Sequence, residues 1–404
     1  MTETELLFNP FEPGYTDDPY PTYRRMRETD PVHDHPFGLW MVTRYEDAVT
    51  VLRSKLSVEE KLVNAGMLRE QYDAIDADTG AGTILSLSML DRDPPDHTRL
   101  RSLVAKVFTP RSVGALEPQV AELVDEGLDR IAADGGGDLV ESLAFPLPFE
   151  VISRMLGLPP TDHLRIRELS GWLVRSLEPV PDDETLARVI AAGDELAEIA
   201  RDLIAYKREH PGDDLLTAMI AAEEDGDRLS DDELVAQLVL LYVAGHETTV
   251  NLVANGTVAL LRNPDQLALL RERPELAANA VEEFLRYDSP VQQTRRVTTA
   301  PFELGGKVIP EGSFVSVVLA SANRDEAFWG PDADRLRIDR DNARQHVSFG
   351  SGVHHCLGAA LARLEGRVAF ERLVTRFPGL APGGEVRWNG RINLRGPAEL
   401  PITV

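Results

Sequence analysis

The chain has 404 residues, 43% of them hydrophobic and 27% charged, which provides for a large buried core and excludes wholesale disorder. With 42 Lys and Arg against 67 Asp and Glu, the net charge is −25, which argues against a nucleic-acid or anionic-membrane surface as the main partner. Cys356 is the single cysteine, so neither an intramolecular disulfide nor a Cys-rich zinc or iron–sulfur site can form.

Residues Met1–Tyr20 are acidic, with Leu6-Leu7-Phe8 as the one apolar run, and read as neither signal peptide nor anchor. A cytoplasmic chain is expected. Apolar residues three and four apart predict helices at Tyr20–Glu28, Tyr45–Leu52, Asp96–Phe108 and Val113–Ala133, with a strand at Leu39–Thr43. Thr185–His210 reads as a longer amphipathic helix ended by Pro211-Gly212. A capping box, Ser230 to Glu233, opens the next helix, which runs from Asp231 to Arg262 and stops at Asn263-Pro264. At about 1.5 Å per residue it spans ~48 Å, so its midpoint falls at the centre of the molecule. His246, Glu247, Asn251 and Asn255 would be costly in lipid, so it is read as a buried helix of a soluble protein. Val297–Leu304, Gly305-Gly306 and Lys307–Ile309 suggest a hairpin, Phe314–Ala320 a strand, Ala359–Phe377 a helix and 387–404 a terminal β piece. No repeat and no long linker interrupts the chain. The expectation is a mainly α fold with small β-sheets at one side, residues 1–404 forming a single domain.

The segment Phe349-Gly350-Ser351-Gly352-Val353-His354-His355-Cys356-Leu357-Gly358 carries the strongest chemical signal. A phosphate loop fits poorly, because His355 stands where the dinucleotide fingerprint needs glycine and no Gly-Lys-Thr follows. Zinc fits poorly too, since the adjacent side chains of His354, His355 and Cys356 rarely converge on one tetrahedral ion. A better physical reading has glycines that let backbone approach a flat cofactor and a helix N-terminus that favours thiolate. Backbone N–H groups just past the cysteine then tune its sulfur, and Gly358 leaves room for a ring. Midway along the long helix, Ala244-Gly245-His246-Glu247-Thr248-Thr249 places weak helix formers and a costly acid in an apolar stretch. Glu283 and Arg286 lie at i and i+3, and His97 and Arg101 at i and i+4, each pair on one helix face.

Together these motifs resemble the cytochrome P450 family of haem-thiolate monooxygenases, in particular its soluble bacterial members. The family signature Phe-Gly-x-Gly-x-His-x-Cys-x-Gly is met at every fixed position, and the resemblance runs from Pro19-Tyr20 to Leu394-Arg395-Gly396. It implies haem b with Cys356 as axial iron ligand, in a cradle of Phe349, Gly350 and Gly358. It also implies that His354, His97 and Arg101 approach the haem propionates, with Arg295 and Arg296 competing for one further propionate role and Arg296 fitting the register better. Ala244 and Gly245 would leave a groove for dioxygen, and Glu247 and Thr248 would relay protons. The Glu283–Arg286 pair would lock the core with Arg337 or a neighbour.

The implied activity is monooxygenation, with electrons from a separate ferredoxin and ferredoxin reductase, because no residues remain for a fused reductase. The rivals are a peroxide-driven peroxygenase, which Glu247 and Thr248 count against, and a non-turnover haem-binding sensor or ligand-sequestering protein. By analogy a lid spans Asp73–Leu90, with Gly80 and Gly82 as flexible points. Ile84, Leu85, Leu87, Val243, Val291 and Leu394 are apolar pocket candidates, and Gln292, Gln293, Thr83 and Ser88 polar ones. That suits a bulky, largely apolar small molecule: a macrolide, terpenoid, steroid or fatty acid. A monomer is expected. Arginines 335, 337, 340, 344, 363, 367 and 372 around the ligand, bordered by Lys106 and Arg111, suggest a docking face for an acidic ferredoxin.

Overall fold

The computed structural model describes residues 7–75, 78–105, 108–159, 162–180, 182–224 and 227–404. Its axis is the 32-residue helix Asp231–Arg262. Ser230 Oγ accepts the Glu233 N–H while the Glu233 carboxylate accepts the Ser230 N–H, the reciprocal cap expected from sequence. The helix is buried nearly all round because others flank it: Gly80–Leu87, Pro146–Leu156, Asp183–Glu209, Ala277–Tyr287 and Ala359–Arg376. Two of its buried amides donate to neighbouring backbone. Gln237 Nε2 donates to the Leu87 carbonyl at 2.8 Å, and Asn255 Nδ2 to that of Arg395 at 3.0 Å. Where the helix crosses closest, a Cβ at Gly256 would collide with Phe284 and Phe370.

A buried ion cluster holds the helix Ala277–Tyr287 to the segment that leads into the Cys356 loop. Arg286 and Glu283 are both fully buried, joined at 2.7 and 2.8 Å, and Arg286 also donates to the carbonyls of Asn323, Ala333 and Arg335. The third member is Arg340, whose Nε reaches Glu283 at 3.2 Å. Arg337 contributes only its backbone N–H to Glu283, and its side chain pairs with Asp332 nearer the surface. Of the two options left open by the sequence, the neighbour holds.

The sheets gather to one side. Val32–His35 and Leu39–Val42 pair antiparallel, Leu39–Val42 runs parallel to Phe314–Val317, and Thr294–Val297 closes the edge antiparallel. Gly136–Asp138, Pro401–Thr403 and Ala381–Pro382 form a second sheet, and Arg387–Trp388 pairs with Pro397–Glu399. Val32–His35 and Gly136–Asp138 carry too short a pattern to read from sequence.

Three expectations need correction. Val113–Ala133 is two helices, Pro110–Gly114 and Glu117–Asp134, with Pro118 opening the second. Val297–Leu304 is two strands: Thr294–Val297 joins the large sheet, and Phe302–Leu304 pairs with Lys307–Ile309 around Gly305 and Gly306, both at positive φ. The break comes after Val297, where the Thr298 hydroxyl takes the Ser313 N–H and donates to the Pro310 carbonyl. The strand from Phe314 ends at Val317, and Leu319–Ala322 is a helical turn. The Asp96 helix is described to Ala105, so the end expected at Phe108 crosses residues outside the described ones. Among the described residues no helix is long and apolar enough to cross a membrane.

Candidate functional site

A cavity of about 430 Å³ lies between the central helix and the Cys356 loop. On one wall the loop folds back on itself: the Cys356 N–H donates to the Phe349 carbonyl at 2.9 Å and the Gly350 N–H to that of Val347 at 2.8 Å. Gly350 and Gly352 have φ near +70°, and a Cβ at Gly352 would also press on the Leu52 carbonyl at 2.7 Å. Cys356 stands just ahead of the helix Ala359–Arg376, open to this cavity and otherwise enclosed by protein. That enclosure pushes its thiol up, while the Gly358 N–H, Arg101, Arg363 and the Ala359 N–H pull against it by favouring thiolate. A Cβ at Gly358 would meet no protein atom nearer than the Cys356 Sγ at 4.0 Å, so the space above that glycine is open.

One rim is crowded with basic groups. His97 is 2% exposed with both ring nitrogens unpartnered, and its ring lies 4.1 Å from that of His354. Burial, then His97, Arg296, Arg101 and Arg295, drives the His354 imidazole down to about 3. Burial and the adjacent Arg295 lower Arg296 to about 10. Arg101 donates to the His355 carbonyl at 2.6 Å. Arg295 is already spent on Glu60 and Asp91, whereas Arg296 makes no ion pair among the described residues. Buried basic groups without counter-charges are costly, and this set fits a dianion at the edge of a flat ligand.

The opposite wall is the central helix, where Val243, Ala244, Gly245, Thr248 and Thr249 line the cavity. Thr248 Oγ1 donates to the Ala244 carbonyl at 3.0 Å. Glu247 does not line the cavity. It turns away and accepts from Arg391 Nη1 at 2.8 Å, with His246 Nε2 at 3.7 Å on its other side. Burial alone would raise its carboxyl, but His246 and Arg391 outweigh burial and hold it at about 2.

Of the pocket candidates, Ile84, Leu85, Val243, Val291 and Leu394 line the wall. Leu87 and Gln292 do not. Leu87 closes its helix with its carbonyl tied to Gln237, and Gln292 is buried in the core, bonded to Tyr23 and Ser289. Chain alternation puts the next residue, Gln293, on the wall instead, beside Ser316. Ser88 lines the cavity and Thr83 does not. Gly80 and Gly82 lie in the first turn of the helix Gly80–Leu87, and a Cβ at Gly80 would strike Ala197 and Asp194 at 2.8 Å, so that glycine serves close packing.

Sequence reasoning missed two groups. Arg391 carries no local pattern that points to Glu247, 144 residues away. Glu365 looks like any acid on a mixed helix face, yet it is 1% exposed and lines the cavity beside Thr249. Burial raises its carboxyl to about 8, opposed only by the Thr249 hydroxyl.

Comparison with known proteins agrees with this geometry. The family profile described as Cytochrome P450 matches residues 183–388. Cytochrome P450 107B1 of Saccharopolyspora erythraea is 43% identical, covering 97% of this chain and 96% of its own. The vitamin D(3) 25-hydroxylase of Pseudonocardia autotrophica is 41% identical, covering 98% and 96%. Among solved structures, the myxobacterial cytochrome P450 CYP267B1 in complex with myristic acid superposes with a TM-score of 0.89 at 37% identity, covering 97% and 98%. The family's prosthetic group is haem b, held through a cysteine thiolate, and the open space above Gly358 and the basic rim, with the His97 ring nitrogens unpartnered, suit that group. The chain belongs to the cytochrome P450 family and is a P450 monooxygenase.

Proposed function

We propose that residues 1–404 act as one haem-thiolate unit in the cytoplasm that inserts one oxygen atom from O2 into a bulky, largely apolar small molecule. Separate ferredoxin and ferredoxin reductase proteins supply the electrons. The observation that carries this reading is the placement of the single cysteine on one wall of an apolar cavity whose other wall holds Ala244, Gly245, Thr248 and Thr249. In this reading Cys356 would hold the haem iron through its thiolate, with Phe349, Gly350 and Gly358 forming the cradle around it. His97, Arg101, Arg296 and His354 would hold the propionates. When bound, haem b supplies the oxygen-activating chemistry. The chain's own residues do the rest. Ala244 and Gly245 leave space beside the helix, Thr248 orients a proton at its Oγ1, and Glu247 feeds it.

The substrate class follows from the wall. Ile84, Leu85, Val243, Val291 and Leu394 offer apolar surface, while Gln293 supplies a polar amide. The named substrate of the vitamin D(3) 25-hydroxylase relative and the fatty acid bound to CYP267B1 are both bulky and mostly apolar. The test is to titrate the haem-loaded enzyme with macrolide, steroid, terpenoid and fatty-acid panels, and then to supply ferredoxin, reductase and nicotinamide. A Soret shift with one class, followed by an oxygenated product of that class, is the expected result. A shift without product under every donor would overturn turnover, and shifts confined to small polar ligands would overturn the substrate class.

A further inference from the structure

Two adjacent acids on the helix Ala277–Tyr287 face different partners. Glu283 joins the buried cluster with Arg286 and Arg340, while Glu282 reaches toward the loop that carries Cys356. Glu282 is 2% exposed, and Arg363 grips both of its oxygens, Nε at 2.8 Å and Nη2 at 3.1 Å. His346 Nε2 lies 3.1 Å from Oε2; the Ser348 N–H donates to the Nδ1 of the same ring, so Nε2 carries the proton and donates to Glu282. Arg344 Nε stands 3.6 Å away on the surface side. Burial would raise the Glu282 carboxyl, but His346 and Arg363 outweigh burial and hold it at about 2.

These groups converge on the ring of Phe349, which lines the cavity. The Arg363 guanidinium lies over that ring, 4.6 Å from its centroid, and the His346 ring stands 5.5 Å from it. The Phe349 carbonyl in turn accepts the Cys356 N–H at 2.9 Å, so the ring and the sulfur belong to one turn. A planar fork on a buried carboxylate fixes the guanidinium in direction as well as place. Freed from Glu282, the Arg363 side chain, 35% exposed, would extend into water. The charged groups that act most strongly on the Cys356 sulfur are Arg101 and Arg363, both cations.

We propose that Glu282 is a positioning residue that fixes the Arg363 cation against Phe349, and that this cation raises the reduction potential of the haem held by Cys356. This rests on the reading of Cys356 as the haem ligand. Reduction brings one electron from the donor and, while the sulfur stays a thiolate, no proton, so the site gains one negative charge. A cation held close by in a poorly solvated wall favours that more negative state. Without the acid to hold it, the cation moves outward and is screened by water and salt.

The test is a redox titration of the haem-loaded protein with dithionite and mediators, without ferredoxin, followed at the Soret band. At a fixed applied potential, Arg363→Gln is expected to lower the ratio of ferrous to ferric haem by roughly three- to ten-fold, the scale of one partly screened charge near the site. Tenfold corresponds to about 59 mV for one electron. Arg363→Lys keeps the charge without the fork and should restore part of the ratio. In the Glu282→Gln background, Arg363→Gln should move the ratio much less, because the guanidinium is already loose. The ferrous–CO band of each variant reports whether the loop still folds around the haem. Where Arg363→Gln loses that band, Arg363→Met, which keeps packing over Phe349 without the charge, takes its place. A ratio unmoved by the uncharged variants, a Lys variant as low as the Gln variant, or equal shifts in the two Glu282 backgrounds overturns the proposal. A wild-type protein without the red-shifted ferrous–CO band would overturn the haem-thiolate reading instead, and the proposal with it.

Discussion

On the Cys356 wall, the geometry is set by backbone over one short loop. The Phe349 carbonyl takes the Cys356 N–H, two glycines at positive φ make the turns, and the helix from Ala359 offers its first N–H groups to the sulfur. Elsewhere around the cavity, several contacts join side chains far apart in sequence: Glu247 to Arg391, Glu365 beside Thr249, Gln293 to Ser316. A site made by local backbone has its residues spaced in sequence as the loop demands. A site made by side chains meeting across the fold leaves no such spacing. The two walls also differ in what loss of one residue does, and that difference can be measured.

The largest effect is expected on the backbone wall. Cys356→Ser should abolish oxygenation and the strongly red-shifted Soret band of the ferrous–CO complex, because an alcohol cannot supply the thiolate's electron donation. A variant that keeps the band would show that the loop holds haem by another group. Behind this wall, Glu283→Gln should leave the buried Arg286 and Arg340 without their counter-charge. Breaking one side of a buried ion cluster costs about 3–5 kcal/mol, and urea unfolding of the haem-loaded protein should show a midpoint lowered accordingly. A loss below about 1 kcal/mol would mean that the cluster is solvated or replaced in solution.

The same contrast explains what could be read from sequence. The capping box at Ser230, the stop at Asn263-Pro264, the Cys356 signature and the Glu283–Arg286 pair are local spacings, and the structure has each in place. The helix from Val113 and the strand from Val297 broke where apolar period continued across a turn that Pro118 or Thr298 imposes. Gln292 and Gln293 are equivalent as letters, and only the pairing of the Gln292 backbone with Asn393 and Ala320 decides which side chain meets the cavity. Arg295 and Arg296 differ for the same reason: one pairs with Asp91 and Glu60, while the other is buried and makes no ion pair among the described residues.

A third prediction sharpens the side-chain wall. Glu365 holds a proton in the native state up to about pH 8, whereas unfolded chain releases it near 4.5. Between those values the native state binds more protons than the unfolded one, so stability falls as pH rises, by up to ~1.4 kcal/mol per unit, and levels off above. Glu365→Gln removes that slope. Denaturation midpoints of wild type and variant should therefore converge at low pH and separate toward pH 8, with the variant the more stable. Parallel curves would mean that Glu365 is ionised and partnered in solution.

The smallest effect is expected at the surface behind Cys356, where the arginines expected to steer an acidic donor are mostly engaged elsewhere. Arg340 is in the core; Arg367 pairs with Glu117 and Glu371, Arg372 with Asp125, and Arg337 with Asp332. Arg363 chelates Glu282 and lies 4.6 Å over the Phe349 ring, so reversing its charge would disturb the loop as well as the surface. Lys106 lies outside the described residues. Arg344 is different, 75% exposed and 3.6 Å from a Glu282 carboxylate that Arg363 and His346 already engage. Arg344→Glu should therefore slow reduction by the proposed ferredoxin without altering the Soret band or dithionite reduction. One exposed charge is worth at most about 1 kcal/mol, and the deficit should shrink as salt shortens the Debye length below about 8 Å. Equal rates for Arg344→Glu and wild type at every ionic strength would place the donor's docking face away from the Cys356 loop. A deficit that persists at high salt would mean that Arg344 makes a short-range contact with the donor and does not act by steering.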